Sequence, residues 1–120
     1  MKIRDPEPLL PLTPGVFHVL LVLAGGDTHG YAILKEVSYL TGGAVSLSAG
    51  TLYAILRRLV SDGLVVERMD RPAAELDDER RRYYHLTDFG LSVARAEAAR
   101  LEDVLTLARA KNLLAKPRPV

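Results

Sequence analysis

The sequence predicts one mainly α-helical domain with a small β-hairpin, followed by a long C-terminal helix. Apolar residues recur at helical spacing in four segments, and two extended stretches flank a charged segment. A heptad pattern fills the last helical segment. The chain has 120 residues, of which 48% are hydrophobic and 26% are charged, so it is long enough for one domain with a modest core.

Charge and cysteine usage narrow the class of protein further. The formal net charge is only +1, so any basic surface must be local. The absence of cysteine excludes disulfides and thiolate metal sites. The longest apolar run, Val16 to Ala24, is interrupted by His18 and is shorter than the roughly 18 residues of a membrane span. The acidic and proline residues at 5–8 do not fit a signal peptide. We therefore expect a cytoplasmic protein with no membrane partner.

The N-terminal region is predicted to form an arm and then a helix. Residues 1–12 contain three prolines and are expected to be an extended arm without helix. Thr13 and Pro14 mark a helix start, because threonine caps free N–H groups and proline lacks one. This helix should end near Ala24. Since it is apolar almost all round, we expect it to be covered on more than one side, with a second subunit as one cover.

The second helix is expected from about His29 to Leu40, with Asp27 and Thr28 as its cap. Its buried stripe consists of the apolar residues at helical spacing, Ile33, Leu34, Val37 and Leu40. The residues 41–43 break the helix, and the alternating residues 45–47 are expected to form a very short strand.

The third helix, within the stretch 46–63, has an unusually small and polar outer face. Ser48 is its expected cap and Gly63 its left-handed exit. Its apolar stripe is Leu52, Ile55, Leu56 and Leu59. The outer face carries Gly50, Ala54, Arg57 and Ser61, flanked by Thr51, Tyr53 and Arg58. Small residues admit a large partner, and arginine pairs with phosphates or guanine edges. The second and third helices are joined by a short connection that contains glycine, which is typical of a helix-turn-helix. An ordinary amphipathic core helix, however, shows the same apolar stripe.

The pattern then changes to two extended segments. Residues 64–69 and 81–86 are expected to be strands, with Tyr84 and Leu86 facing the core. The segment 70–80 between them is charged and too long for a tight turn. A hairpin directly after a helix-turn-helix is a wing. Residues 13–86 are therefore predicted to form a winged helix-turn-helix domain.

The last helix is predicted over residues 87–114, with Thr87 as its cap. Its heptad positions are Leu91, Ala94, Ala98, Leu101, Leu105 and Ala108. A helix of this length exceeds what the preceding domain needs, so we expect a dimerisation helix. The alternative is a helix folded back on its own domain. Residues 115–120 are expected to be a disordered tail.

Three sequence motifs resemble the PadR family of transcriptional regulators, in its short form with a single C-terminal helix. They are HGYAI at 29–33, GTLYAILRRLVSDGLV at 50–65 and RRYYHLTDFG at 81–90, and the resemblance covers about 9–114. The chain departs from the family at Ala54, where proline is frequent, and in its acidic wing tip at 75–79. The resemblance implies a cytoplasmic dimeric repressor whose affinity for DNA a small molecule or another cue can change.

These arguments give candidate residues for two surfaces. The DNA-binding candidates are Ser48, Gly50, Thr51, Tyr53, Arg57, Arg80, Arg81 and Arg82. The dimer-interface candidates are Val16, Phe17, Leu20, Leu91, Ala94, Ala98, Leu101, Leu105 and Ala108. Tyr53 could instead pack between helices, and the wing arginines could instead be solvated side chains of a hairpin; both alternatives to DNA binding stay open. A small-molecule effector pocket between the first and last helices is the alternative to a dry dimer interface there.

The sequence also bears on two other classes of function, a binding module without DNA and an enzyme. A winged-helix module for protein interaction or ligand sensing, without DNA binding, fits the near-neutral charge and the acidic wing tip. An enzyme is not expected, because neither a GxGxxG nor a phosphate-loop motif occurs. The three histidines, His18, His29 and His85, are far apart in sequence, so we expect no catalytic site, metal or cofactor.

Overall fold

The computed structural model describes residues 4–69 and 82–115. The helices are α1 (Pro14–Ala24), α2 (Gly30–Leu40), α3 (Ala49–Ser61) and α4 (Asp88–Ala110), and a short 3-10 helix spans Glu7–Leu9. The strands are β1 (Thr28–His29), β2 (Val65–Met69) and β3 (Arg82–Leu86). The predicted class, mainly helical with a small antiparallel sheet and a long last helix, is confirmed. The predicted extended arm differs in containing the 3-10 turn.

Local capping fixes the helix starts that the sequence predicts. The Thr13 side chain accepts a hydrogen bond from the Val16 N–H at 3.3 Å, and Ser48 accepts one from the Thr51 N–H at 3.1 Å. Thr87 accepts one from the Gly90 N–H at 2.9 Å. Each cap satisfies an N–H group that has no partner within its own helix.

The start of α2 differs from the prediction. His29, and not Asp27 or Thr28, caps the helix, because its Nδ1 accepts from the Ala32 N–H at 3.3 Å. Thr28 and His29 pair with Tyr84 and Tyr83 of β3, so Thr28 belongs to a strand. The sheet thus has three strands in the order β1-β3-β2, where the sequence predicted a two-stranded hairpin.

One apolar core holds these elements together. It contains side chains from all four helices and from the sheet, and the residues with at most 1% exposure are Val19, Leu20, Ile33, Val37, Leu52, Leu56, Val65 and Val93. The stripe of α3 points into this core, with Ile55 only partly buried. Tyr84 is buried as predicted, and Leu86 packs against the core. Burying one face of α3 in this way leaves its opposite face outward.

Two predictions about the α2–α3 region are wrong. Leu40 is 59% exposed, because α2 reaches beyond the core in its last turn. Residues 45–47 form no strand, although Val45 and Leu47 pack against the core. The connection is held instead by Thr41, whose hydroxyl donates to the Val37 carbonyl at 2.8 Å and accepts from the Val45 N–H at 3.0 Å.

Close backbone contact joins the end of α3 to the start of α4. Gly63 has φ +81°, which confirms the left-handed exit. The Thr87 hydroxyl donates to the Gly63 carbonyl at 2.7 Å. A Cβ on Gly90 would lie 2.0 Å from the Leu64 carbonyl oxygen, so only glycine fits there. These contacts fix the direction in which α4 leaves the domain.

The two halves of α4 lie in different surroundings. Val93, Ala94 and Glu97 in its first half are buried, whereas residues 102–107 are exposed. The 23 residues of α4 span about 34 Å, and the helix ends at Ala110, four residues before the predicted end. The expected disorder of the tail concerns residues that lie, except for Ala115, outside the described chain.

Candidate nucleic-acid interface

The outer face of α3 is the surface that the sequence singled out. Gly50, Thr51, Ala54, Arg57 and Ser61 are all exposed. The N-cap Ser48 is also exposed, and its hydroxyl donates to Thr51 Oγ1 at 2.9 Å. The structure therefore brings five of the eight DNA-binding candidates to one helix, four of them on or beside its outward face and the fifth, Tyr53, partly turned inward.

Within the described chain, neither packing nor backbone conformation requires glycine at position 50. A Cβ built there meets no atom within 4 Å, and Gly50 is not among the residues with positive φ. Glycine inside a helix costs up to about 1 kcal/mol relative to alanine. A position that gives up stability with no internal benefit is expected where a backbone must approach a large partner closely.

Tyr53 has a packing role. A Cβ on Gly30 would lie 2.7 Å from the Tyr53 hydroxyl oxygen, so the tyrosine occupies the space that the glycine leaves at the start of α2. Tyr53 is only partly buried and packs against the core. This contact ties α2 to α3 and supports the helix-packing interpretation that the sequence left open.

Arg57 lies at a cleft between α3 and the wing. The cleft is lined by Tyr53, Leu56, Arg57, Val60, Ser61, Glu67, Arg82 and Tyr84. Within residues 4–69 and 82–115, the Arg57 side chain has neither a hydrogen bond nor an ion pair. Arg58, one position on, lies 3.7 Å from Asp62, as the sequence suggested for an ion-pair partner. The two neighbouring arginines therefore differ. Arg58 has a long, exposed ion pair, whereas Arg57 has no partner among the described residues and is the better candidate to bind a phosphate or a base edge.

The described wing cations are already paired. Arg82 Nε lies 3.2 Å from Glu67 Oε1, and Arg68 lies 3.8 Å from Asp27. Asp27 Oδ1 also lies 2.7 Å from His85 Nδ1, so it joins the loop before β1 to the wing. These side chains are all 37–59% exposed, so solvent screens the pairs. Arg80, Arg81 and the acidic tip lie outside the described residues.

The sequence reasoning did not select the exposed face of α2. Tyr31 is 60% exposed, and Lys35 Nζ lies 4.9 Å from the centroid of its ring. The first helix of a helix-turn-helix crosses the DNA backbone, so Lys35 is a further candidate for phosphate contact. Its i, i+4 spacing from Tyr31, away from the apolar stripe, is the signal that could have identified it.

The dimer candidates fall into two groups. Leu20 and Ala94 are 0% and 7% exposed within a single chain, so their side chains belong to its own core and not to a partner surface. Phe17, Ala98, Leu101 and Leu105 line one open groove between α1 and α4. Val16 instead lines a separate cavity between the N-terminal arm, α1 and α3. Leu91 and Ala108 are partly buried.

A buried carboxylate, which the sequence reasoning missed, joins the N-terminal arm to α4. Glu97 is 1% exposed, pairs with Arg100, and accepts a hydrogen bond from the Leu12 N–H at 2.8 Å. The hydrogen bond from Arg100 lowers the pKa of Glu97, against the opposing effect of burial, and the Leu12 N–H lowers it further. The same pair raises the pKa of Arg100. A helical glutamate gives no sequence signal of burial.

In the described parts of the chain, no group of three histidine or acidic side chains could hold a metal ion. No helix there is long and apolar enough to cross a bilayer.

The chain was compared with known families and structures. A family model described as the transcriptional regulator PadR-like family matches residues 19–96. No match was found among curated proteins. A PadR family transcriptional regulator from Eggerthella lenta is 34% identical, with a TM-score of 0.59 and 82% of each chain covered. The H. salinarum protein RosR is 32% identical, with a TM-score of 0.59, over 81% of this chain and 77% of that one.

A third structure, Bacillus subtilis PadR in complex with operator DNA, is 23% identical and has a TM-score of 0.58. The match covers 91% of this chain and 52% of that one, so the B. subtilis protein is similar in fold and considerably longer. The family match spans most of the residues from α1 to the buried half of α4, which is the part of the molecule that positions α3. The chain belongs to the PadR-like family of transcriptional regulators.

Proposed function

We propose that this chain is a sequence-specific double-stranded DNA-binding regulator that acts as a homodimer and represses transcription. The observation that carries the proposal is the outer face of α3, which is exposed, small and polar, with Arg57 unpaired among the described residues. Such a face suits the major groove, where helices read base edges. The similar B. subtilis protein, whose structure was determined with operator DNA, supports the same role for this fold.

The proposed roles follow from position. Ser48, Gly50 and Thr51 would meet the DNA first, since they lie at the start of α3, and Arg57 would reach a base edge or phosphate one to two turns later. Arg80, Arg81 and Arg82 would flank the site from the wing, with Arg82 shared with Glu67. Tyr53 would act mainly by positioning α3 against α2. Lys35 would contact a phosphate from α2.

Dimerisation is supported by an apolar surface formed by α1 and α4, which we call the seam. Its residues are Phe17, Ala98, Leu101, Leu105 and Ala108. The exposed half of α4 carries further apolar side chains nearby, with Val104 48% and Leu105 44% exposed. Arg109 Nε, at the same groove, is buried without a hydrogen-bond partner in the described residues. A second copy would cover the apolar groups and could supply an acceptor for Arg109. Repression is the sense of regulation that the family resemblance implies.

A second candidate is a ligand-sensing or protein-interaction module that does not bind DNA. The observation in its favour is that Arg68 and Arg82, the described wing arginines, are paired with acidic side chains of the same chain. The net charge of +1 points the same way. A small-molecule effector is compatible with both candidates.

Selection of binding sites from random duplex DNA, followed by fluorescence anisotropy at low salt, separates the two candidates. The proposal expects an enriched sequence with twofold symmetry and half-sites about 34 Å apart. The matched control is a scrambled duplex of the same base composition. If no sequence is enriched, and both duplexes bind equally weakly, the second candidate replaces the first.

A further inference from the structure

A cavity of about 490 Å³ lies between the N-terminal arm, α1 and α3, and it shares no lining residue with the groove between α1 and α4. Its walls are mostly aliphatic, and the side chains that matter below are Leu9, Val16, Thr51, Ala54, Ile55 and Arg58. Sites for small molecules typically measure roughly 300–1,000 Å³ and combine apolar walls with a few polar groups. This cavity has both properties.

The arm forms one wall of the cavity and is fastened at both ends. Arg4 donates a hydrogen bond to the Asp62 carbonyl, and its guanidinium lies 4.1 Å from the Phe89 ring centroid. At the other end the Leu12 N–H is held by buried Glu97. Leu9 and Pro11, between these two anchors, line the cavity. The arm therefore spans the cavity as a fixed strap.

One cation marks the polar edge of the cavity. Arg58 and Asp62 both line it, but their nearest atoms are 3.7 Å apart, which is beyond hydrogen-bond distance. The Arg58 side chain is 80% exposed, so its N–H donors stay available to an acceptor on a bound molecule. Apart from Thr13, Thr51 and Asp62, the other residues that line the cavity are aliphatic.

We propose that this cavity binds a compact, mainly apolar molecule that carries one hydrogen-bond-accepting group, which Arg58 recognises. The bound molecule would lie against Thr51 and Ala54, and both belong to the cavity wall and to the exposed surface at the start of α3. Occupancy therefore alters the surface offered to DNA. This second step rests on the proposed function, whereas the binding site itself does not.

The test uses the fluorescent dye anilinonaphthalene sulfonate, titrated into the full chain. Its naphthalene and phenyl rings are apolar, and its one sulfonate group is an anionic hydrogen-bond acceptor. We expect saturable binding of one dye per chain. Leu9→Trp fills the cavity and should raise the dye Kd at least tenfold. The matched control is Tyr39→Trp, at a position that is 84% exposed and lines neither this cavity nor the groove between α1 and α4, and it should leave the Kd within twofold. The reverse pattern, or no effect of either variant, overturns the proposal.

A second pair of variants avoids any folding defect of Leu9→Trp. Arg58→Gln changes an exposed side chain and should raise the dye Kd at least threefold, whereas Arg57→Gln, which does not line the cavity, should not. Equal effects of the two substitutions contradict the proposed site. Circular dichroism at the titration temperature verifies that each variant is folded.

The regulatory step is measured by fluorescence anisotropy of the selected duplex with and without saturating dye. We expect at least a threefold change in DNA affinity that disappears in Leu9→Trp. An unchanged affinity at saturating dye refutes the regulatory step. If the parent chain binds no DNA at all, the proposed function fails, while the dye titration still decides whether the cavity is a binding site.

Discussion

Two exposed surfaces of this chain have opposite chemistry. The outer face of α3 carries glycine, alanine, threonine and serine around Arg57. The projecting half of α4 carries leucine and valine side chains that are 44–67% exposed. Exposed side chains in a single chain can therefore belong to two different kinds of surface, one polar and one apolar. Under the proposed function, the first surface would contact a hydrated polyanion, and the second would be covered by apolar groups of a second copy of the chain.

The largest expected effect concerns salt and the α3 surface. If a dimer neutralises about six to ten phosphates, its affinity for DNA should fall about 10³- to 10⁵-fold between 50 and 200 mM salt. Anisotropy titrations across that range measure the slope. Self-association through the apolar surface should show no comparable fall, which light scattering in the same buffers checks. A flat response of DNA affinity to salt contradicts a phosphate-binding role.

Placing charged residues in the apolar surface of α4 should have the next largest effect on DNA affinity. Leu101→Glu combined with Leu105→Glu places two charges in the seam, so we expect monomers by light scattering. DNA affinity should fall about 100-fold or more, because each 1.4 kcal/mol of lost half-site binding is a factor of ten. The matched control is Ala99→Glu with Ala110→Glu, two exposed positions outside the seam. An unchanged dimer mass in the seam variant refutes the proposed interface.

Removing Arg57 tests the polar surface at one residue. Arg57→Ala should raise the Kd for the selected duplex by about 5- to 150-fold, the equivalent of about 1–3 kcal/mol for one good base contact. The melting temperature should stay nearly unchanged, because the side chain has no partner within the described residues. Equal losses of binding and of thermal stability would make Arg57 a structural residue.

Glu97, in the buried half of α4, should make a moderate, pH-dependent contribution to the free energy of unfolding. Because the folded-state pKa of Glu97 is lowered, its contribution is present above the unfolded-state pKa and is lost as pH falls through the folded-state value. Glu97→Ala should cost about 1–3 kcal/mol at pH 7, since it leaves the Leu12 N–H without its acceptor.

Glu97→Gln separates charge from hydrogen bonding. It keeps an acceptor for Leu12 and should lose less stability at pH 7, and its stability should vary less than that of the parent chain on acidification. Denaturant melts between pH 3 and pH 7 measure both effects. Exposed Glu102→Gln on the same helix is the control. If parent and Glu97→Gln respond to acid identically, the lowered pKa has no role in stability.

Gly50→Ala should change the free energy of unfolding by less than Glu97→Ala does, and the sign of the change is informative. A Cβ there meets no atom of the described chain, so we expect stability to rise by up to about 1 kcal/mol. DNA affinity should fall at the same time, because the added methyl group occupies the approach surface. Higher stability with unchanged DNA affinity would remove Gly50 from the interface.

The predictable parts of the fold are the local ones. Thr13, Ser48 and Thr87 cap their helices as expected, since a cap needs only a side-chain oxygen and an N–H group three residues later. The stripe of α3 and the exit at Gly63 depend on neighbours in sequence in the same way. These elements sufficed to locate the outer face of α3.

The misassigned parts depend on distant residues. Asp27 and Thr28 resemble a cap, but Thr28 pairs with Tyr84 and Asp27 contacts His85, so the edge of β3 decides their conformation. A two-residue strand has no period to detect. Leu20 and Leu40 both look like interface or core residues, and only the packing of α1 and α2 shows that one is buried and the other exposed.

The sequence by itself determined the four helices, the caps of α1, α3 and α4, the two strands of the hairpin and the polar face of α3, because backbone geometry and side-chain periodicity act over a few residues. The tertiary structure alone decided the third strand and the burial of Glu97 against the arm. Those features arise where segments far apart in the chain meet, and desolvation and hydrogen bonding between such segments are set only when the chain has folded.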